Sequence, residues 1–172
     1  MLISEKMNSA INQQIGNEFL ASLQYVSIAA WFSSESLPQL AAHFFQQSKE
    51  EREHALKFAK YVLDAGGRVR IPAIAEPKSQ FSSAEEAVRH ALEHEKLVTR
   101  QINDLVDLGM KENDHLTQSF LQWFVTEQLE EVSSMDTLLK IVQRAGEKGL
   151  LHVEEYLARS KSGTEKTPPA AP

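Results

Sequence analysis

The stretch Glu50-Glu51-Arg52-Glu53-His54-Ala55 decides how this chain folds. It lies inside a long run of helical periodicity whose inward stripe reads Leu37, Ala41, Phe44, Ser48, Glu51, Ala55, Phe58, Val62, at spacings of three and four. Apart from Ser48, only Glu51 breaks the apolar pattern. His54 stands three residues further on, on the same helical face. A carboxylate and an imidazole aimed at the middle of a helical core need partners on other helices.

Three more segments supply them. The first has the stripe Met7, Ile11, Glu18, Ala21, Tyr25, Ile28, Phe32. The third has Ala84, Val88, Ala91, Glu95, Val98, Ile102, Leu105, and the fourth has Leu116, Phe120, Phe124, Glu127, Glu131, Leu138, Val142. Glutamate breaks each stripe. Glu18, Glu51, Glu95 and Glu127 each lie about 13 or 14 residues from the start of their helix, so in a bundle all four fall near mid-height and converge.

Glycine, proline and serine mark the ends. The first helix is expected from Ser4 to Trp31-Phe32, broken by Ser33-Ser34-Glu35-Ser36. The second opens at Leu37-Pro38 with Ser36 as N-cap and closes at Gly66-Gly67. Ser82-Ser83, each with a glutamate three residues on, reads as a capping box for the third, which ends near Gly109. The fourth runs from Asp114 to Ala145, closed by Gly146. A short fifth helix covers Leu150 to Arg159. The tail 161–172, rich in proline, lysine, serine and threonine, predicts disorder.

Connection lengths fix the topology. Short links make helices one and two antiparallel, and likewise three and four. Between helices two and three lies a connection of about 15 residues, which extended reaches about 50 Å. A helix of about 28 residues is about 42 Å long, so this connection can run the whole length of the bundle. The expected fold is all-α: a four-helix bundle with one long crossover and a short fifth C-terminal helix, forming one domain over 1–160.

Composition removes several functions. A net charge of −6 is the wrong sign for a nucleic-acid footprint. The chain has no cysteine, so disulfides, thiolate metal sites and cysteine nucleophiles are excluded. No apolar run is long enough for a membrane span, and the N-terminus shows no secretory pattern, so the cytoplasm is the expected location. The buried glutamates remain to be explained. Unpaired carboxylates in a core are very costly. Lys49, Arg52 and Lys96 sit beside the stripes and point away. Either the carboxylates are protonated or multivalent cations neutralise them, and a pair of divalent ions fits the charge. Adding the His54 imidazole to oxygen ligands shifts the preference from Mg or Ca toward Fe, Mn or Zn.

The pattern resembles the ferritin-like di-iron carboxylate proteins, and specifically the non-haem bacterial ferritins. The resemblance spans about residues 5–160 and rests on Asn17-Glu18-Phe19-Leu20-Ala21-Ser22-Leu23-Gln24-Tyr25, Glu50-Glu51-Arg52-Glu53-His54-Ala55, His94-Glu95, and Phe120-Leu121-Gln122-Trp123-Phe124-Val125-Thr126-Glu127-Gln128-Leu129-Glu130-Glu131. Two departures separate the chain from bacterioferritins. Glu130 stands where they carry a second histidine, and Arg52 stands where they carry the haem-ligating methionine, which implies a haem-free centre.

The resemblance implies roles. One iron is held by Glu18, Glu51 and His54; the second by Glu51 as bridge, Glu95, and Gln128 or Glu131. A third, weaker iron site would use Glu50, Glu127, Glu130 and Glu131. Tyr25 resembles the family's tyrosine beside the centre, a hydrogen-bond partner or electron donor. The implied activity is oxidation of Fe(II) to Fe(III) by O2 or peroxide, with storage of Fe(III) as a mineral inside a homo-oligomeric shell of twenty-four subunits. The fifth helix, too short to be stable alone, would find its partner at a symmetry axis. A di-iron oxidoreductase of the same fold, a bacterioferritin, a DNA-coating miniferritin and a purely structural bundle are the rival readings. The last predicts apolar residues at Glu18, Glu51, Glu95 and Glu127.

Overall fold

A computed structural model describes residues 1–164. The helices are α1 (Glu5–Ser34), α2 (Pro38–Asp64), α3 (Ala84–Lys111), α4 (His115–Ala145) and α5 (Leu150–Thr164), with one 3-10 turn, Glu147–Gly149, before α5. Helix α5 runs past Arg159, where the sequence was expected to end it. Of the tail expected to be disordered, 165–172 lie outside the described residues.

Side chains cap three of the helices where the sequence points. Ser4 accepts from the Met7 amide, Ser83 from that of Glu86 and Asp114 from that of Thr117. The third helix uses its box one residue out of step: the Glu86 carboxylate reaches back to the Ser82 amide and hydroxyl, both at 2.6 Å. Helix α2 differs. Ser36 is not its cap but a left-handed turn residue with φ of 60°. Leu37 holds the N-cap position and offers no side-chain acceptor. The free amides of Gln39 and Leu40 donate instead to Glu154 of α5, at 2.7 and 2.8 Å.

The long connection does cross the bundle. It runs beside α1 and in the same direction. The Asn12 side chain pairs with the backbone of Arg68 and Arg70, and Gln24 pairs with that of Lys78. Further along, Trp31 meets Phe81. Buried Gly16 sits between the two side-chain clamps. A Cβ there would overlap the Pro72 ring, so glycine lets the strand lie flat on the helix. Gly16→Ala is expected to cost about 1–3 kcal/mol, read as a lower urea midpoint with an unchanged slope.

Because the connection returns to the end where α2 began, α2 and α3 run parallel, and α1 and α4 run against them. The apolar stripes build two core clusters. One contains Met7, Ile11, Phe58, Val62, Ile102 and Phe124. The other contains Ile28, Phe32, Phe44, Val88, Met135 and Leu138. Leu150, Val153 and Leu157 of α5 are buried in the second cluster. The short helix thus finds a packing partner in its own chain, where a symmetry axis was expected to supply one, while Leu151 and Tyr156 keep it partly exposed. Between the two clusters lies a polar layer.

Candidate metal centre

That layer forms because each helix brings polar residues to the same height. Glu18 comes from α1, Glu51 and His54 from α2, Glu95 from α3, and Gln128 and Glu131 from α4, and all six are buried. Two sets present ligand atoms within 4.8 Å of one another: Glu18, Glu51 and His54, and Glu51, Glu95 and Glu131. Glu51 belongs to both sets, so its two oxygens could bridge a pair of ions. His54 Nδ1 lies 3.4 Å from Glu51 Oε2. The imidazole is held edge-on by Trp123 and Phe124, at ring centroid distances of 5.4 and 5.8 Å.

The carboxylates differ in how they are held. Glu95 is fixed at both oxygens: the Tyr25 hydroxyl donates to Oε1, and the Gln128 amide donates to Oε2 at 3.1 Å. Glu18 is fixed at one: the Gln14 amide donates to Oε1 at 2.8 Å, while Oε2 is buried with no hydrogen-bond partner. Both oxygens of Glu51 are buried without one. Buried polar atoms are rarely left so. They belong to residues that offer ligand atoms within 4.8 Å of one another, the spacing a shared cation needs.

Electrostatics agree. Burial, and then the neighbouring charge of Glu51, push the Glu18 carboxyl well up from its ordinary range. Burial and the charge of Glu95 do the same to Glu51. Burial raises Glu95, against the opposing hydrogen bonds from Tyr25 and Gln128. Glu131 is pushed up to about 8 by burial and by the charges of Glu95 and Glu50. Ordinary counter-charges look elsewhere: Arg52 and Lys49 are exposed, and Lys96 pairs with Glu93 at 2.8 Å. Four acids with so little compensation either hold protons or await cations. The donor set, oxygens with one imidazole, suits Fe, Mn or Zn.

The expected residues therefore divide. Glu18, Glu51, His54, Glu95, Glu131 and Tyr25 are brought together. On α4 the expected stripe is out of register. Its buried line is Thr117, Leu121, Phe124, Gln128, Glu131, Met135, Leu138, Val142, with Leu116 exposed and Phe120 only partly covered. From Phe124 the chain needs a step of four to stay on the core face, and the sequence reading took three. Gln128 therefore lies on the stripe, and Glu127 lies off it with a 29% exposed side chain. As placed, the Gln128 amide serves Glu95 and Thr99. Among the four residues expected for a third site, no three offer ligand atoms within 4.8 Å of one another. Glu50 is half-buried and bonded by Gln46 and Gln47, and Glu127 Oε1 lies 3.9 Å from His54 Nε2. Glu130 is exposed beside the groove between α4 and α5. Sequence reasoning missed Gln14, although its place four residues before Glu18 puts both on one face.

Comparison with known proteins is consistent with this geometry. The family profile of the ferritin-like domain matches residues 8–145. Ferritin BfrB of Mycolicibacterium smegmatis is 43% identical over 171 residues, covering 98% of this chain and 94% of that protein. A bacterial non-heme ferritin of Staphylococcus aureus is 36% identical, covering 85% and 88%. Among solved structures, an open pore ferritin from the hyperthermophilic archaeon Archaeoglobus fulgidus superposes with a TM-score of 0.88 at 39% identity, covering 90% of this chain and 97% of that one.

Proposed function

The chain belongs to the ferritin family, whose business is iron storage, and we propose that its buried carboxylate layer is where Fe(II) is bound in pairs and oxidised before storage. The observation that carries this reading is Glu51: a carboxylate in the core, shared by two ligand sets, with both oxygens free of hydrogen bonds. In this reading one Fe(II) is taken by Glu18, Glu51 and His54, and the other by Glu51, Glu95 and Glu131. Bridging through Glu51 brings the two metals close enough to act on one oxidant molecule. Two Fe(II) release two electrons. With two protons these reduce O2 to hydrogen peroxide, or hydrogen peroxide to two waters. Hydroxide and oxide from water then displace the carboxylates from Fe(III), which passes on to the mineral. Glu50 and Glu127, whose charges act on Glu131, supply the acidic side chains of a weaker path for a third ion, with Glu130 on the exposed face beyond them. Tyr25, bonded to Glu95, stands where it can hold that carboxylate or supply an electron. A shell of twenty-four copies in the cytoplasm completes the proposal and rests on the family, and a haem-free centre rests on Arg52 and Glu130.

The test is aerobic Fe(II) oxidation by the assembled protein beside a Glu51→Ala, His54→Ala variant, with retained iron and particle mass measured in the same samples. The wild type is expected to oxidise Fe(II) in a fast phase and retain far more iron than its ligands can hold. The variant is expected to lose the fast phase, a slowing on the order of 100-fold or more. A small particle retaining only a pair of irons per chain would favour a di-iron enzyme of the same fold. Equal rates would remove the centre from the reaction.

A further inference from the structure

We propose that Gln14 is a positioning residue that presents Glu18 to its metal through a single oxygen; this rests on the reading of the buried layer as a metal centre. Gln14 is only 2% exposed although it carries a polar amide in a helical core. Its Nε2 donates to Glu18 Oε1 at 2.8 Å, one helical turn away. Its own Oε1 accepts from Asn17 Nδ2 at 3.0 Å. The first bond sets the direction of the second. An amide can be turned over, exchanging donor for acceptor, but an ionised carboxylate only accepts, so Gln14 must show its N–H to Glu18 and its oxygen to Asn17.

The consequence falls on Glu18. With Oε1 engaged, Oε2 is the oxygen left without a partner, in a residue that offers a ligand atom within 4.8 Å of those of Glu51 and His54. Glu95 is held at both oxygens and Glu51 at neither. The three carboxylates thus make a graded series, and Gln14 sets the middle member. Side chains that orient metal ligands commonly change affinity by about 10–100-fold when removed.

The experiment is an anaerobic Co(II) titration of the assembled wild type, Gln14→Leu and Glu18→Ala, followed by visible absorption. Co(II) is the probe because it is not oxidised by the centre and its spectrum reports coordination number. In Gln14→Leu the class of sites that Glu18→Ala abolishes is expected to weaken about 10-fold or more. Its absorption should also change, as Glu18 becomes free to bind through both oxygens. The other class should keep its affinity. If Gln14→Leu does not assemble, Asn17→Leu at the half-buried end of the clamp is expected to give a smaller loss in the same class. Unchanged affinity and spectrum in that class, or equal weakening of both classes, would overturn the positioning role. A wild type that takes up no Co(II) would instead overturn the metal centre beneath it.

Discussion

Glu51→Gln is expected to raise the thermal stability of the metal-free protein while destroying its ability to bind paired metal. Both Glu51 oxygens are buried without a hydrogen-bond partner, and the charges of Glu95, Glu131 and Glu50 press on them. At about pH 7.5 the wild type must either keep a charge in this layer or take up a proton well above the ordinary carboxyl range, and each costs stability. Glutamine has the same shape and no charge, and its amide can donate to the unpartnered Glu18 Oε2. A gain on the order of 1–4 kcal/mol is expected, by analogy with buried ion pairs replaced by uncharged residues of similar volume. Glu53→Gln, two residues further on and exposed, should stay within about 0.5 kcal/mol and serves as control. Differential scanning calorimetry in the presence of a chelator reads the stability, and Co(II) uptake reads the binding. A metal-free variant less stable than the wild type would mean that the carboxylate layer stabilises the bundle on its own account.

The same carboxylates set the pH dependence of the metal-free protein. Glu18, Glu51, Glu95 and Glu131 all hold their protons more tightly in the folded chain than in the unfolded one. The folded state thus binds more protons, and unfolding free energy falls as pH rises. For Glu131 the loss begins near the unfolded value of 4.5 and is complete above its folded value of about 8. It is on the order of several kcal/mol from that group alone. The partly exposed Glu86, held down to about 2 by Lys78 and Ser82, acts with the opposite sign, but only as pH falls below its ordinary range. The melting temperature of chelated protein is therefore expected to drop between about pH 5 and pH 8. Bound divalent metal, which needs the ionised forms, should reverse that slope. A melting temperature that is flat or rising over this interval in the chelated protein would mean that the four carboxyls are compensated in a way the geometry does not contain.

Both predictions turn on residues that periodicity alone singled out. Glu18, Glu51 and Glu95 interrupt apolar stripes, and a helical stripe has only one face that can enter a core, so their burial follows from spacing. The crossover was legible for a similarly simple reason: a connection long enough to span the bundle, with no helical pattern of its own. The misreadings have physical causes too. On α4 the apolar positions Leu116, Phe120 and Phe124 make a plausible line, yet Phe120 stacks on Tyr61 at the flank, ring centroids 4.0 Å apart, while Leu121 enters the core. Spacing cannot choose between two adjacent lines when both carry large apolar residues. The capping of α2 failed in another way. Ser36 is the local candidate, and the acceptor that the amides use lies 115 and 114 residues further along, on Glu154.

The sequence by itself determined the helices, their antiparallel pairing, the crossover and the height at which acids enter the core. Each of these depends on local periodicity, local end signals or chain length. Only the tertiary structure decided which side of α4 faces inward, that Gln128 bonds Glu95, that Glu130 faces an outer groove, and that Gln14 holds one oxygen of Glu18 while Glu51 holds none. Those are contests between neighbours on different helices for the same buried volume and the same hydrogen bonds. A side chain's role there is set by what the other three helices place within about 3 Å of it.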